Sequence, residues 1–351
     1  MAELELTTET VKNCPLCGSD KAKFLFWNYD RLYNYAGKFG TVQCEDCGLI
    51  RLSPRPVKEQ LVNYYPTDYY SYQASEYFTE NHSTKNLKSR LRDTVRNTVL
   101  SSIGYSIESR NWQKLLQPLF VSLFYKQATY GYEDKFARYV PNGTALEIGC
   151  GSASYLSLLK HHGWQVAGVD LSPQAAEAAK KYFDIDVFVG ELEDAPFAEQ
   201  SFDYIRMSHV VEHFTNPLRA MKKIREILKP NGVAYIEVPN AESFESETSG
   251  RFWYGWDAPR HLFMLTPATL HRLVESSGLK IEKMLTQDWN SFWWDNTFKR
   301  EEETGEWLET RPYYTKKDIP KYAFRRLSSK IAQMFKPHSG YNICCWVSRQ
   351  D

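Results

Sequence analysis

A glycine-rich turn between an apolar strand and a helix is the feature that most restricts how this chain can fold. A strand is predicted at Thr144–Ile148, Gly149 and Gly151 follow it, and a helix is predicted over residues 155–161. Asp170 stands directly after the next predicted strand. Glycine lets a ligand approach the backbone, a helix N-terminus offers unpaired amides, and a strand-end carboxylate can accept both hydroxyls of a ribose. The sequence therefore predicts a nucleoside-binding site at the edge of a parallel sheet.

Predicted strands and helices alternate from residue 133 onward, which is typical of an α/β fold whose parallel sheet carries helices on both faces. The predicted strands are Thr144–Ile148, Gln165–Val169, Val187–Gly190, Phe202–Met207, Gly232–Val238, Lys280–Thr286 and Tyr341–Arg349. The predicted helices are Pro173–Tyr182, Pro217–Leu228 and Pro267–Ser277. Each begins with proline after Ser, Asn or Thr, which is a favourable helix start.

Four of the seven cysteines form two pairs, Cys14 with Cys17 and Cys44 with Cys47, and 26 residues separate the pairs. A two-residue gap lets both thiolates of a pair reach one metal ion. The pattern predicts a structural zinc ion, with a redox pair as the alternative. Residues 1–52 would then be a zinc ribbon, too small for a core of its own, so that the metal supplies folding free energy.

The region that follows, residues 53–130, is rich in tyrosine and in basic residues. Apolar residues recur in it at helical spacing, so we predict a helical linker or lid. Its clustered tyrosines are Tyr64, Tyr65, Tyr69, Tyr70, Tyr72 and Tyr77.

Charge and hydropathy restrict the location of the protein. The 43 Lys and Arg balance 43 Asp and Glu, which gives no general reason to expect nucleic-acid binding. Residues 1–10 are acidic rather than basic and apolar, and no apolar run approaches the ~18 residues that span a bilayer. These observations predict a cytoplasmic protein.

Five short motifs follow one another between residues 146 and 232. They are Leu146–Gly151, Gly168–Ser172, Ser201–Asp203, Val211–His213 and Leu228–Gly232. Together they resemble the ordered motifs of class I S-adenosylmethionine-dependent methyltransferases, and the cysteine pairs resemble the bacterial subgroup with an N-terminal zinc ribbon. The resemblance implies a Rossmann-like seven-stranded methyltransferase sheet over residues 131–351. A dinucleotide-dependent dehydrogenase would more often have glycine where this chain has Ala153, although many members of the resembled family also have glycine there.

The resemblance also assigns residues to the cofactor, S-adenosylmethionine. These residues are Glu147, Gly149, Gly151, Asp170, Glu191, Leu192 and Ser208. Glu147 and the two glycines would bind the methionine part, Asp170 the ribose, and Glu191 and Leu192 the adenine. Ser208, with the neighbouring His209, would lie close to the transferable methyl group.

Methyl transfer to a hydroxyl group needs a base with a pKa near the working pH, which favours histidine. The candidates are His209, His213 and His261. His213 follows Glu212 in a predicted helix-entry turn, where a structural role is the alternative. His261 follows the fifth strand in a loop at the carboxyl edge of the sheet, where acceptors bind, and it is the favoured base. Anchoring of the backbone is its alternative.

A basic stretch, residues 316–336, carries seven Lys and Arg against one acid. Its apolar residues recur at helical spacing, and basic amphipathic helices can lie on anionic membranes. One interpretation is peripheral membrane contact, or an acceptor that is lipid-linked or phosphate-bearing. The other is ordinary packing with a solvated charged face. The apolar residues are Tyr322, Phe324, Leu327, Ile331, Met334 and Phe335.

The leading functional hypothesis is O-methylation of a small molecule such as a sugar, a glycan precursor or a secondary metabolite. A nucleic-acid methyltransferase whose ribbon binds RNA is one alternative, but residues 1–52 hold six Lys and Arg against seven acids, which disfavours phosphate contacts. A non-catalytic protein that binds the cofactor or interacts through its ribbon is the other. The acceptor, the methylated atom and the oligomeric state stay open.

Overall fold

The computed structural model describes residues 6–66, 138–308, 311–313 and 315–350, and the single positions 94, 98, 101, 104, 105 and 118. Most of the predicted linker or lid, including Tyr69, Tyr70, Tyr72 and Tyr77, lies outside the described residues. Strands β1 to β13 are Thr8–Glu9, Ala22–Asn28, Phe39–Cys44, Ile50–Leu52, Arg55–Pro56, Thr144–Ile148, Gln165–Asp170, Val187–Val189, Phe202–Ser208, Leu228–Pro239, Phe263–Met264, Leu279–Gln287 and Asn342–Arg349. Helices α1 to α7 are Ser154–His161, Pro173–Phe183, Pro217–Ile227, Phe244–Ser249, Pro267–Ser276, Phe292–Thr304 and Ile319–Phe335.

Seven strands form one mixed sheet in the order β12-β13-β10-β9-β6-β7-β8. β6 pairs with β7 and β7 with β8 in parallel, whereas β12 and β13 are antiparallel. The predicted Rossmann-like seven-stranded sheet is therefore confirmed. β10 begins at Leu228, four residues before the predicted strand, so the Leu228–Gly232 motif belongs to the strand; Nζ of Lys229 lies 2.7 Å from Oδ2 of Asp203.

The chain divides into two compact units. The first unit comprises Met1–Thr67, Met207–Arg225 and Ile236–Asp351, and the second unit comprises Asp68–Arg206 and Glu226–Tyr235. The predicted boundaries at residues 52 and 130 stay a prediction.

Within the first unit, the cysteine-containing segment shares its sheet with a distant part of the chain. β2, β3 and β4 are joined by β11 in the order β11-β4-β3-β2, and Phe263 lies opposite Arg51. One core cluster contains Ile50 together with Trp253, Trp256, Met264 and Tyr341. The segment thus buries part of its apolar surface against residues 253–264, which agrees with the expectation that it is too small for a core of its own.

Candidate active site

The glycine turn lies in the second unit and is held by the end of β7. Gly149 and Gly151 have φ angles of 65° and 48°, which glycine adopts without strain. The amide of Gly149 donates to the carbonyl of Val169 (2.7 Å), and the amide of Gly151 donates to Oδ2 of Asp170 (2.8 Å). Ala153 also adopts a left-handed conformation (φ 55°), at a cost of about 1–2 kcal/mol. The two predicted glycines and Asp170 are thus in contact.

Asp170 also connects the turn to the residues predicted to bind adenine. Its Oδ1 accepts from the amide of Ser172 (2.9 Å), and its carbonyl accepts from the amide of Gly190 (3.0 Å). Burial raises the pKa of Asp170, although the surrounding amides lower it in part. Glu191 and Leu192 directly follow Gly190, so the structure places them next to Asp170.

Glu147, at β6, pairs with Arg206 of β9, a residue that the sequence analysis did not single out. Oε1 of Glu147 accepts from Nη1 of Arg206, whose guanidinium lies over the ring of Tyr155, 4.4 Å from its centroid. Among the described residues, no donor reaches the buried Oε2 of Glu147. A lone arginine within the otherwise mostly apolar β9 was the signal that could have identified this pair.

The unpaired oxygen of Glu147 provides a test of whether these residues fit S-adenosylmethionine. A buried carboxylate oxygen without a donor is costly, so a ligand cation that reaches it is favoured. The amino group of S-adenosylmethionine is such a cation. Burial raises the pKa of Glu147 to about 7, although Arg206 lowers it. The residues therefore fit the cofactor, with Glu147 as the candidate partner of its amino group.

We expect the affinity for S-adenosylmethionine to fall as the pH drops below about 7, because Glu147 must be ionised to pair with the ligand cation. The loss should approach roughly tenfold per pH unit. Glu147→Gln should bind more weakly and lose this dependence, as measured by titration calorimetry across the pH range in which the fold is intact. Glu199→Gln, an exposed carboxylate of the same unit, is the matched control. A wild-type affinity that is constant across this range would contradict the assignment.

The three predicted histidines lie in the first unit around Glu212. Nδ1 of His209 is 3.5 Å from Oε1 of Glu212, and Nε2 of His261 is 4.0 Å from the same oxygen. The ring centroids of His213 and His261 are 4.7 Å apart. Burial favours the neutral acid, but the contact with His209 and the charges of the other imidazoles lower the pKa of Glu212 overall. An ionised carboxylate therefore lies at the centre of this histidine cluster.

The hydrogen bonds of His261 determine its tautomer. Nδ1 lies 2.8 Å from the carbonyl of Gly255, which can only accept, so Nδ1 carries the proton. In the neutral ring, Nε2 then has a free lone pair, 4.0 Å from Glu212 and 3.9 Å from Oδ2 of Asp257. The lone pair is therefore a position on the ring that can accept a proton, with two carboxylates beside it.

His213 is held in place from both sides. Its Nδ1 lies 2.9 Å from the hydroxyl of Tyr65 and 3.0 Å from the carbonyl of Arg260. Burial, and then the neighbouring His261, lower the pKa of His213 to about 4. A ring that stays neutral near pH 7 and whose Nδ1 is engaged suits an anchoring role.

His209 and Ser208 are both engaged with Glu237, which the sequence analysis missed. The hydroxyl of Ser208 donates to Oε2 of Glu237 (2.9 Å), and Nδ2 of Asn342 donates to Oε1 (3.0 Å). Nε2 of His209 is 3.9 Å from the same Oε1, and His209 has a left-handed φ of 57°. Such strain in a non-glycine residue is common at functional sites. No pattern in the sequence distinguished Glu237 within its apolar strand.

Arg260 connects the loop of His261 to the cysteine-containing segment. Its Nη2 donates to Oδ1 of Asp30 (2.8 Å) and to Oδ1 of Asp257 (2.6 Å), and its Nη1 donates to the carbonyl of Tyr64 (3.1 Å). The side chains of Arg260 and Asp30 are fully buried. A buried cation thus joins two carboxylates from distant parts of the first unit.

The four paired cysteines converge on one point. Sγ of Cys14 is 3.5 Å from Sγ of Cys47, Sγ of Cys17 is 3.5 Å from Sγ of Cys44, and all four sulfurs lie within 4.8 Å of one another. Four thiolates at Zn–S distances of about 2.3 Å in a tetrahedron have sulfurs about 3.8 Å apart. The sulfur spacing therefore fits a zinc ion.

The glycine turn and its parallel strands place the chain among the Rossmann-like methyltransferase folds, and comparison with known proteins agrees. Residues 124–284 match the family model of a methyltransferase domain. The chain is 38% identical over 96 residues to a demethylmenaquinone methyltransferase of Chlorobaculum parvum, which covers 27% of this chain and 40% of that protein. It is 29% identical over 145 residues to a ubiquinone biosynthesis O-methyltransferase of Cereibacter sphaeroides, which covers 38% of this chain and 59% of that protein.

A solved structure of an S-adenosylmethionine-dependent methyltransferase from Archaeoglobus fulgidus is 18% identical, with a TM-score of 0.40, and the match covers 59% of this chain and 86% of that one. The chain spans about half the length of the curated relatives it matches. Residues 124–284 are thus similar to a methyltransferase domain.

Proposed function

We propose that the protein transfers a methyl group from S-adenosylmethionine to an oxygen of a small molecule, such as a sugar, a glycan precursor or a secondary metabolite. The observation that carries the proposal is the tautomer of His261, whose Nε2 lone pair faces two carboxylates at 3.9 and 4.0 Å. The two relatives are named for methylation in demethylmenaquinone and ubiquinone chemistry, which supports a small-molecule acceptor.

S-adenosylmethionine supplies an activated methyl group when bound. Glu147 would pair with its amino group, Asp170 would accept from its ribose, and the two glycines would let it approach the backbone. His261 takes the proton of the acceptor hydroxyl at Nε2. The imidazolium that results would lie beside the carboxylates of Glu212 and Asp257, 4.0 and 3.9 Å from Nε2.

We further propose that the cysteine cluster binds a structural zinc ion. Four sulfur ligands leave no open position for chemistry, which is typical of structural sites. The ion would hold the β2–β4 segment together while its apolar side chains pack against residues 253–264. A redox pair is disfavoured because no single pair of sulfurs stands apart from the others. The Sγ–Sγ distance is 3.5 Å both between Cys14 and Cys47 and between Cys17 and Cys44.

Replacing His261 by asparagine is expected to lower methyl transfer by about 10²–10⁴-fold while leaving the affinity for S-adenosylmethionine within about twofold of wild type. The reason is that asparagine keeps a hydrogen bond to Gly255 but cannot take a proton. The measurement is mass spectrometry of hydroxylated quinols, catechols and nucleotide-linked sugars incubated with methyl-labelled cofactor, with cofactor binding measured in parallel. His271→Asn, an exposed histidine on α5, is the matched control.

Three results would contradict the proposal or its assignment of the base. Label that appears in RNA rather than in small molecules would favour a nucleic-acid methyltransferase. Tight cofactor binding without transfer to any of these acceptors would favour a non-catalytic protein. Equal transfer rates in wild type and His261→Asn would remove His261 as the base and leave His209 as the next candidate.

A further inference from the structure

Helix α7 turns its large apolar side chains away from the protein. Five of them are exposed along one side: Phe324 at 72%, Leu327 at 57%, Ile331 at 46%, Met334 at 78% and Phe335 at 81%. Positions three and four apart lie on the same face of a helix, so these five form one continuous apolar stripe over roughly 16 Å. A helix that packs on a core has the reverse arrangement, with its apolar side turned inward.

The opposite face of α7 holds the helix on the first unit. Ser329 is its buried residue, and Arg325 pairs with Asp295, with 3.1 Å between Nη2 and Oδ2. The ring of Tyr322 stacks on Trp293, with centroids 5.2 Å apart. Tyr322 therefore belongs to the packed face and not to the apolar stripe. Polar and aromatic contacts hold the helix, so the stripe is not needed for packing within the described part of the chain.

Basic side chains border the stripe on both sides. At 100° per residue, Arg326 and Lys330 lie along one edge and Lys321 along the other. The helix itself contains no acidic residue. Arg326 and Lys330 have no carboxylate within 4.0 Å among the described residues, whereas Lys321 is 3.5 Å from Asp318. Long basic side chains can extend from an apolar layer towards phosphate groups.

We propose that α7 docks this stripe on an anionic lipid surface. The side chains of the stripe would enter the boundary between headgroups and acyl chains, while Arg326 and Lys330 contact lipid phosphates. No described helix is long and apolar enough to cross a membrane, so the contact is with one surface.

Charge distinguishes an anionic lipid surface from two other possible occupants, a second copy of the chain and residues 82–130. A second copy of the chain would bring one set of basic side chains against another. Residues 82–130 would do the same, because they carry eight Lys and Arg against two acids. An anionic lipid surface offers both the apolar layer and the complementary charge, and each basic side chain near it strengthens binding roughly fivefold.

Flotation of the full-length protein with lipid vesicles tests this proposal. Wild type should bind vesicles of phosphatidylcholine with phosphatidylglycerol, bind phosphatidylcholine alone much more weakly, and dissociate as salt is raised. Arg326→Glu with Lys330→Glu should weaken binding by more than about 25-fold. Phe324→Ser, Met334→Ser and Phe335→Ser together should abolish it. Lys222→Glu with Arg272→Glu, exposed residues of α3 and α5, makes the same charge change elsewhere and should leave binding intact.

The melting temperature of each variant should stay within a few degrees of wild type, because all the replaced side chains are exposed. Three results would overturn the proposal: no binding of wild type to the anionic vesicles, undiminished binding of the triple serine variant, or loss of binding in the Lys222 and Arg272 control equal to that in the Arg326 and Lys330 variant. Wild-type dimers that the triple serine variant converts to monomers, without vesicle binding, would show that a second copy covers the stripe.

Discussion

Removing the metal that we propose for the cysteine cluster is expected to unfold the β2–β4 segment and to lower the melting temperature by more than about 10 °C. In small zinc proteins the metal contributes about 10–16 kcal/mol, which is as large as the whole stability of an ordinary domain, about 5–15 kcal/mol. The sulfur pairs 3.5 Å apart would lose the ion that holds them together. Calorimetry with a strong chelator, before and after zinc is added back, measures the change, and elemental analysis should find one zinc per chain.

Two serine variants separate the metal from the general cost of removing a buried thiol. Cys14→Ser should lose zinc and behave like the chelated protein. Cys345→Ser replaces a buried thiol on β13, outside the cluster, so it should keep its zinc and cost only about 1–3 kcal/mol. Protein purified without reducing agent that contains disulfides among the four cysteines and no zinc would contradict the proposal and favour a redox pair.

Loss of the metal should also disturb the histidine cluster, because the backbone connects the two. The amide of Leu52 donates to the carbonyl of Leu262 (3.0 Å), and the amide of Leu262 donates to the carbonyl of Glu212 (2.8 Å). Unfolding of β4 removes the first of these bonds, so the carbonyl of Leu262, the residue after His261, loses its donor. Histidine ring signals in NMR spectra should therefore shift when the metal is removed.

Local patterns were sufficient to predict most of the fold of the methyltransferase domain. The predicted bounds of β6 agree with the structure, and those of α2, α3 and α5 differ by one residue at most, because proline after a capping residue starts each helix. The pairing of β11 with β4 was not predictable, since it joins two residues of one segment to a distant segment and leaves no periodic signal. The exposed stripe of α7 was visible as periodicity, but the sequence could not tell which face was buried.

Candidate site residues could be named from the sequence where a motif fixes their position and not where a partner does. Asp170 follows from its place at a strand end, and Glu147 from the resemblance to the methyltransferase motifs. Arg206 and Glu237 lie within strands, and they became candidates only when the structure placed them beside Glu147 and Ser208. Charge pairing across a fold depends on tertiary contacts that a single sequence does not encode locally.

Replacing Arg260 by methionine is expected to destabilise the protein by about 3–5 kcal/mol, because the change leaves two buried carboxylates without their cation. The side chain of Asp30 is fully buried and that of Asp257 is 9% exposed, so water can compensate little. Arg260→Lys keeps the charge but not the fork that donates to both acids, so it should show an intermediate loss. Denaturant unfolding measures the differences, and Arg272→Met, an exposed arginine of α5, should stay within about 0.5 kcal/mol of wild type.

The pH dependence of Arg260→Met should identify the cause of its instability. In wild type, burial alone would raise the pKa of Asp257, but Arg260 outweighs burial and lowers it. The ion pair therefore contributes stability that is lost as the pH falls through the lowered pKa of Asp257. In the variant, burial acts on Asp257 without the cation, so Asp257 binds a proton more readily when folded and the loss relative to wild type should shrink as the pH is lowered. Adding Asp30→Asn to Arg260→Met should restore part of the stability at neutral pH, since one buried charge is removed. A loss that is independent of pH and of this second change would mean that the side-chain volume of Arg260, rather than its charge, stabilises the first unit.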